Sequence, residues 1–101
     1  MRKHWIFLAL GLMVGASIAQ DETARTVNFI CEGNRPLKVV FATNEALVTF
    51  KGDQYMLPQV SGGTSFRYTN QRVTLEGSET LVTLNNETVK RPMAQNCRAT
   101  Q

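Results

Sequence analysis

The sequence predicts an all-β fold: a small antiparallel β-barrel of about eight short strands, closed by one disulfide. Three observations carry that expectation. Short alternating or β-branched runs recur between turn-forming residues from position 26 onward. No stretch of 11 residues beyond position 20 keeps helical apolar spacing free of Gly, Pro or β-branched interruption. Finally, two cysteines, Cys31 and Cys97, lie near the two ends of the chain that follows an N-terminal leader.

The leader reads MRKHWIFLALGLMVGASIAQ. Arg2, Lys3 and His4 form a positive start, and Trp5 to Ala16 is an almost unbroken apolar run. Ser17-Ile18-Ala19 then puts small residues at the −3 and −1 positions of a cleavage site before Gln20. This pattern predicts a secretory signal peptide over residues 1–19. At 12 residues the apolar run falls short of the roughly 20 that span a bilayer, so no membrane insertion is expected after cleavage. The expected organisation is a signal peptide (1–19), a polar flexible segment (20–26, QDETART) and one barrel domain (27–101).

The strands follow in order. Thr26 to Cys31 alternates, with Val27, Phe29 and Cys31 on one side. Gly33-Asn34-Arg35-Pro36 reads as a turn, and Leu37 to Phe41 as the next strand. Thr43-Asn44-Glu45 turns the chain into Ala46 to Phe50. Lys51-Gly52-Asp53 is a tight hairpin connection before Gln54 to Leu57. Arg67 to Leu75 holds one or two strands, broken at Thr69-Asn70-Gln71. Glu76-Gly77-Ser78 is another turn ahead of Glu79 to Leu84, and Asn85-Asn86 leads into a short strand at Thr88-Val89-Lys90.

So many short strands in so few residues form one antiparallel sheet, and closing it supplies an apolar interior while removing exposed edges. The expected core is Val27, Phe29, Val39, Phe41, Leu47 or Val48, Phe50, Leu57, Val73, Leu75, Leu81, and Val82 or Leu84. Such an interior is filled by side chains and leaves no large ligand cavity. In an exported chain the cysteine pair is most simply a disulfide, closing a loop of 67 residues (31 to 97 inclusive). Two buried thiols, or thiols paired between chains, are the alternative.

Composition narrows the function classes. The whole chain carries 11 basic and 8 acidic residues, a net charge of +3. Without residues 1–19 the basic count is 9 and the net charge +1, so the apparent basicity belongs to the leader and no nucleic-acid partner is expected. The single histidine, His4, leaves with the leader. What remains has no imidazole for a Ser-His-Asp arrangement or a His-ligated zinc, and two cysteines without neighbouring ligands make no metal set. No enzyme, metal or cofactor is expected. Asp53 sits in the Lys51-Gly52-Asp53 hairpin, where a solvated turn explains it, and Glu76 and Glu79 are three apart in an expected turn and strand, with no helix face to pair them.

Between Leu57 and Arg67 lies the longest stretch without strand character, Pro58-Gln59-Val60-Ser61-Gly62-Gly63-Thr64-Ser65-Phe66. It lacks the lysine and the strand-to-helix setting of a phosphate loop. Composition alone favours a plain connection whose glycines satisfy turn geometry. A projecting loop that presents backbone N–H groups and small hydroxyls is the other reading.

Several segments together resemble the bacterial c-type lysozyme inhibitor family, in its soluble periplasmic branch. They are Phe29-Ile30-Cys31, Ala46 to Phe50, Tyr55 to Gly62, Arg67-Tyr68, Gly77 with Glu79, and Cys97, in that order over nearly all of the chain from Val27. The resemblance implies a small barrel with the two cysteines bridged, a periplasmic location, and c-type lysozyme as partner. It also implies a loop inserted into the lysozyme active-site cleft, with the Ser61 hydroxyl bonded to a catalytic carboxylate and Tyr68 bracing the loop base.

Two departures from the family pattern are visible. The loop motif is Ser-Gly, four residues, then Tyr; here Ser61-Gly62 and Tyr68 are separated by five residues, Gly63 to Arg67. The extra residue is either absorbed as a bulge or displaces Ser61, in which case Thr64 and Ser65 offer substitute hydroxyls. A second motif, Tyr, three residues, Thr or Ser, then Lys-Gly, aligns on Gly77 with Gln71, Leu75 and Glu76. Glu76 thus stands where the family carries a lysine facing lysozyme carboxylates, and like charges there are unfavourable. Arg67 or Arg72 would have to supply the missing cation. The expected lysozyme-binding residues are therefore Ser61, Gly62, Thr64, Ser65, Arg67, Tyr68, Arg72 and Glu76. The alternative is an envelope binding or structural module that keeps the barrel and has a changed partner.

Overall fold

The computed structural model describes residues 23–100, so the expected signal peptide lies outside the described residues. Eight strands follow one another: β1 (Arg25–Cys31), β2 (Arg35–Ala42), β3 (Glu45–Phe50), β4 (Asp53–Ser61), β5 (Phe66–Thr69), β6 (Val73–Gly77), β7 (Leu81–Asn86) and β8 (Arg91–Ala99). Each pairs antiparallel with the next, and β8 pairs back onto β1 to close the barrel.

Alternation along each strand decides which residues fill the interior. Phe29, Leu37, Val39, Val48, Leu57, Leu75, Val82 and Leu84 are all but inaccessible. Phe41, Phe50, Phe66, Tyr68 and Val73 complete the packing, and Val27 lies partly buried against it. Among the described residues, every buried core side chain and both cysteines lie within Arg25–Ala99. Cys31 and Cys97 are joined, S–S 2.05 Å, across the seam between the first and last strands.

Turn chemistry sets the strand ends. Lys51 and Gly52 form a two-residue hairpin with φ of 54° and 84°, the paired positive values that match the twist of the flanking strands. Gly77 has φ 141°, and a Cβ there would lie 2.2 Å from the Leu81 carbonyl oxygen. Only glycine allows β6 to fold this tightly onto β7.

Five expectations need correction. Thr88-Val89-Lys90 is a turn, and the last strand is β8, Arg91–Ala99. Leu81 is 47% exposed and points outward, while both Val82 and Leu84 point in. Pro58 to Ser61 belong to β4, so the connecting loop is only residues 62–65. Arg35 and Pro36 open β2, which leaves residues 32–34 as the turn. Arg25 and Thr26, at the end of the segment expected to be flexible, pair with Phe41 and Val40.

Candidate functional site

One rim of the barrel gathers the start of β1, the β2–β3 turn, the 62–65 loop and the β6–β7 turn. The chain is drawn together there by Gln59 N–H donating to the Asn44 carbonyl at 2.9 Å and by an ion pair between Arg25 and Glu79. Ser61, Gly62, Gly63, Thr64 and Ser65 are all exposed. The loop and the β6–β7 turn flank an open depression of about 350 Å³, lined by Gly63, Thr64, Ser78, Glu79 and Thr80.

The loop stands on an aromatic base. Phe66 and Tyr68 occupy both inward positions of β5, with ring centroids 5.3 Å apart. Phe41 packs on both, at 5.3 Å from Phe66 and 5.8 Å from Tyr68. The Arg25 guanidinium lies 5.5 Å from the Phe41 ring centroid, capping the cluster from the rim. Burial pushes the Tyr68 hydroxyl above its ordinary pKa of 10.0; the Arg25 charge opposes that shift and the Glu79 charge adds to it.

The local geometry of the loop entrance comes from a bulge. Gln59 faces Tyr68 and Ser61 faces Arg67, so Val60 is an extra residue in β4. The Gln59 side-chain amide donates to the Ser61 carbonyl at 3.3 Å. A Cβ on Gly62 would meet that amide nitrogen at 2.5 Å, so the glycine lets the Gln59 side chain fold over the entrance.

Ser61, Arg67 and Glu76 are successive register partners on the outer face of β4, β5 and β6. Arg67 Nε lies 3.8 Å from Glu76 Oε1, and the Asn85 amide donates to Glu76 Oε2 at 3.2 Å. The Glu76 carboxylate is thus paired with groups of both adjacent strands. Both side chains are about half exposed, so the pair is weak and exchangeable. Arg72 is elsewhere. It sits in the β5–β6 turn at the opposite rim, where its carbonyl accepts Glu87 N–H at 2.8 Å. The structure therefore brings Ser61, Gly62, Thr64, Ser65, Arg67, Tyr68 and Glu76 to one end of the molecule and separates Arg72 from them.

The pairing of Arg25 with Glu79 was not expected from sequence, where Glu79 stood out by itself and Arg25 did not. Its partners are 54 positions apart, and only barrel closure brings them together. Among the described residues, no group of three or more His, Cys, Asp or Glu forms a metal-ligand set. No protein-family model and no curated protein matches this chain in sequence.

Proposed function

We propose that this protein is a periplasmic inhibitor of c-type lysozyme that acts by occlusion and performs no catalysis. The observation that carries the reading is the exposed, hydroxyl-bearing 62–65 loop with Ser61 at its entrance, braced from below by Phe41, Phe66 and Tyr68. A rigid base lets a short loop enter a cleft without a large ordering cost. In this mechanism the Ser61 hydroxyl donates to a catalytic carboxylate of the lysozyme while Gly62 to Ser65 fill the cleft. Arg67 exchanges Glu76 for a carboxylate of the enzyme.

The test is c-type lysozyme turnover against titrated, disulfide-intact protein of residues 20–101, at low and physiological salt. Ser61→Ala should weaken inhibition roughly 10- to 100-fold, the range for a hydrogen bond to a charged group. Inhibition that is indifferent to that change would remove Ser61 from the mechanism.

A second reading, an envelope module with a changed partner, is favoured by one feature. Arg67 is already engaged by Glu76 and Arg72 lies on the far rim, so no unpaired cation stands in the Ser61 row. Absence of inhibition at micromolar protein would select this reading.

A further inference from the structure

In a closed eight-stranded barrel, β1 lies four strands from β5 in either direction. The wall formed by β8, β1 and β2 therefore faces away from the one that carries Ser61, Arg67 and Glu76. Register pairing across that far wall puts Leu81, Arg98, Ile30 and Pro36 in one outward row. Lys51, in the β3–β4 hairpin, stands one step beyond Pro36, because Leu37 pairs with Phe50. The adjacent row holds Asn28, Lys38 and Thr49.

Exposed aliphatic residues and cations meet on this wall beside a cleft without carboxylates. Ile30 is 40% exposed and Leu81 47%, so aliphatic side chains stand in water among cations. Among the described residues, Lys38, Lys51 and Arg98 make no ion pair, as Arg35, Arg72, Lys90 and Arg91 also do not, whereas Arg25 and Arg67 each hold a carboxylate. A shallow cleft of about 330 Å³ runs along the wall, lined by Ile30, Pro36, Lys38, Thr49, Lys51 and Thr100 among others, with no acidic residue in its lining. The next acidic residue along β1, Glu32, sits in the turn and accepts the Asn96 amide at 2.8 Å. Asp53 borders a second hollow with Phe50, Tyr55 and Lys51, whose ammonium lies 6.0 Å from the Phe50 ring centroid, so Lys51 stands between that carboxylate and the wall.

We propose that this wall docks on an anionic lipid surface. With strands about 4.8 Å apart, Arg98 and Lys51 stand roughly 14 Å from each other with aliphatic residues between them. That spread suits many headgroups better than one small anion, and exposed Ile30 and Leu81 can enter the boundary between headgroups and acyl chains. An acidic peptide adding as a strand would need an open sheet edge, which closure of the barrel removes. Docked this way, the protein presents its 62–65 loop away from the lipid. The inference does not depend on lysozyme being the partner.

The experiment is co-sedimentation of residues 20–101 with vesicles of equimolar phosphatidylglycerol and phosphatidylcholine, and with phosphatidylcholine alone. This form is used because the apolar leader would bind vesicles by itself. Binding to the anionic vesicles alone is expected, falling as salt rises. Each surface cation contributes roughly fivefold, so K38Q/K51Q/R98Q should bind about 100-fold more weakly. R72Q/K90Q/R91Q, which removes as many charges elsewhere, should bind as the parent does. Equal binding to neutral vesicles, or full binding by K38Q/K51Q/R98Q, would overturn the proposal. So would retention on heparin without vesicle binding, which points to a soluble polyanion. If the triple variant fails to fold, salt-insensitive vesicle binding by the parent protein overturns the proposal in its place.

Discussion

Tyr68 is held on the inner face of β5, 6% exposed, with Phe41 and Phe66 against its ring. A phenolate there would lose most of its hydration, and this burial raises the pKa above 10.0. The sign of the linkage follows. Between the unfolded and folded pKa values the native state holds a proton that the unfolded chain has lost, so stability falls with rising pH in that window. Well below pH 10.0 both states are protonated and Tyr68 adds no slope. Urea denaturation midpoints measured at increasing pH should therefore decline above about pH 10. In Tyr68→Phe that decline should be shallower. An unchanged slope in the variant would assign the alkaline loss to other groups. The same buried ring underlies the proposed function, because it fixes where β5 starts and so where the exposed loop stands.

At the scale of elements, side-chain caps decide where strands stop. In the β5–β6 turn, Asn70 Oδ1 accepts the Arg72 and Val73 N–H groups, both at 2.8 Å, and Thr69 Oγ1 accepts Gln71 N–H at 3.0 Å. This network holds Gln71 at φ 77°, a conformation that non-glycine residues adopt with difficulty. Asn70→Ala would leave two backbone donors to water and is expected to cost about 1–2 kcal/mol, read as a lower thermal midpoint. A variant as stable as the parent would mean that the strands alone hold the turn. Such caps also explain what the sequence did and did not disclose. Thr88-Val89-Lys90 looks like a strand by composition, but Asn86 Oδ1 captures the Thr88 and Val89 N–H groups at 2.9 and 3.2 Å, and the backbone turns. Leu81 reads as core by hydrophobicity. The tight Gly77 fold and the Ser78 N–H to Leu81 carbonyl bond (2.9 Å) instead set a phase in which Val82 and Leu84 go inside. By contrast β3 and its hairpin to β4 were legible, since alternation and the Lys51-Gly52 turn agree. Arg67 and Arg72 look interchangeable along the chain, yet the hairpin between them sends one to each rim. The Arg67–Glu76 pairing needs a register that no local pattern contains.

For the whole molecule, the joint between the chain ends is, with the bulged β4–β5 pairing, one of the two places where the ladder is shortest. The β1–β8 seam has two register pairs, Phe29 with Ala99 and Ile30 with Arg98, whereas β1 and β2 share seven. Cys31 and Cys97 fall at the next step of that short ladder, so the disulfide continues the seam where pairing gives out. Glu32 N–H bonding to the Gln95 carbonyl at 3.0 Å and Thr100 N–H to the Asn28 carbonyl at 2.9 Å add the remaining ties. Joining residues 66 positions apart removes chain entropy from the unfolded state worth about 4 kcal/mol. A domain of this size has total stability of roughly 4–11 kcal/mol, so the bridge is a large part of it. Reduction, or C31S/C97S, should lower the thermal midpoint by about 20 °C. Amide exchange then distinguishes two routes. If the seam is the weak joint, amides of β1 and β8 lose protection first while β3 and β4 keep theirs. Simultaneous loss from all strands would show that the reduced barrel opens only as one unit, and that closure resides in the shared core rather than in the seam.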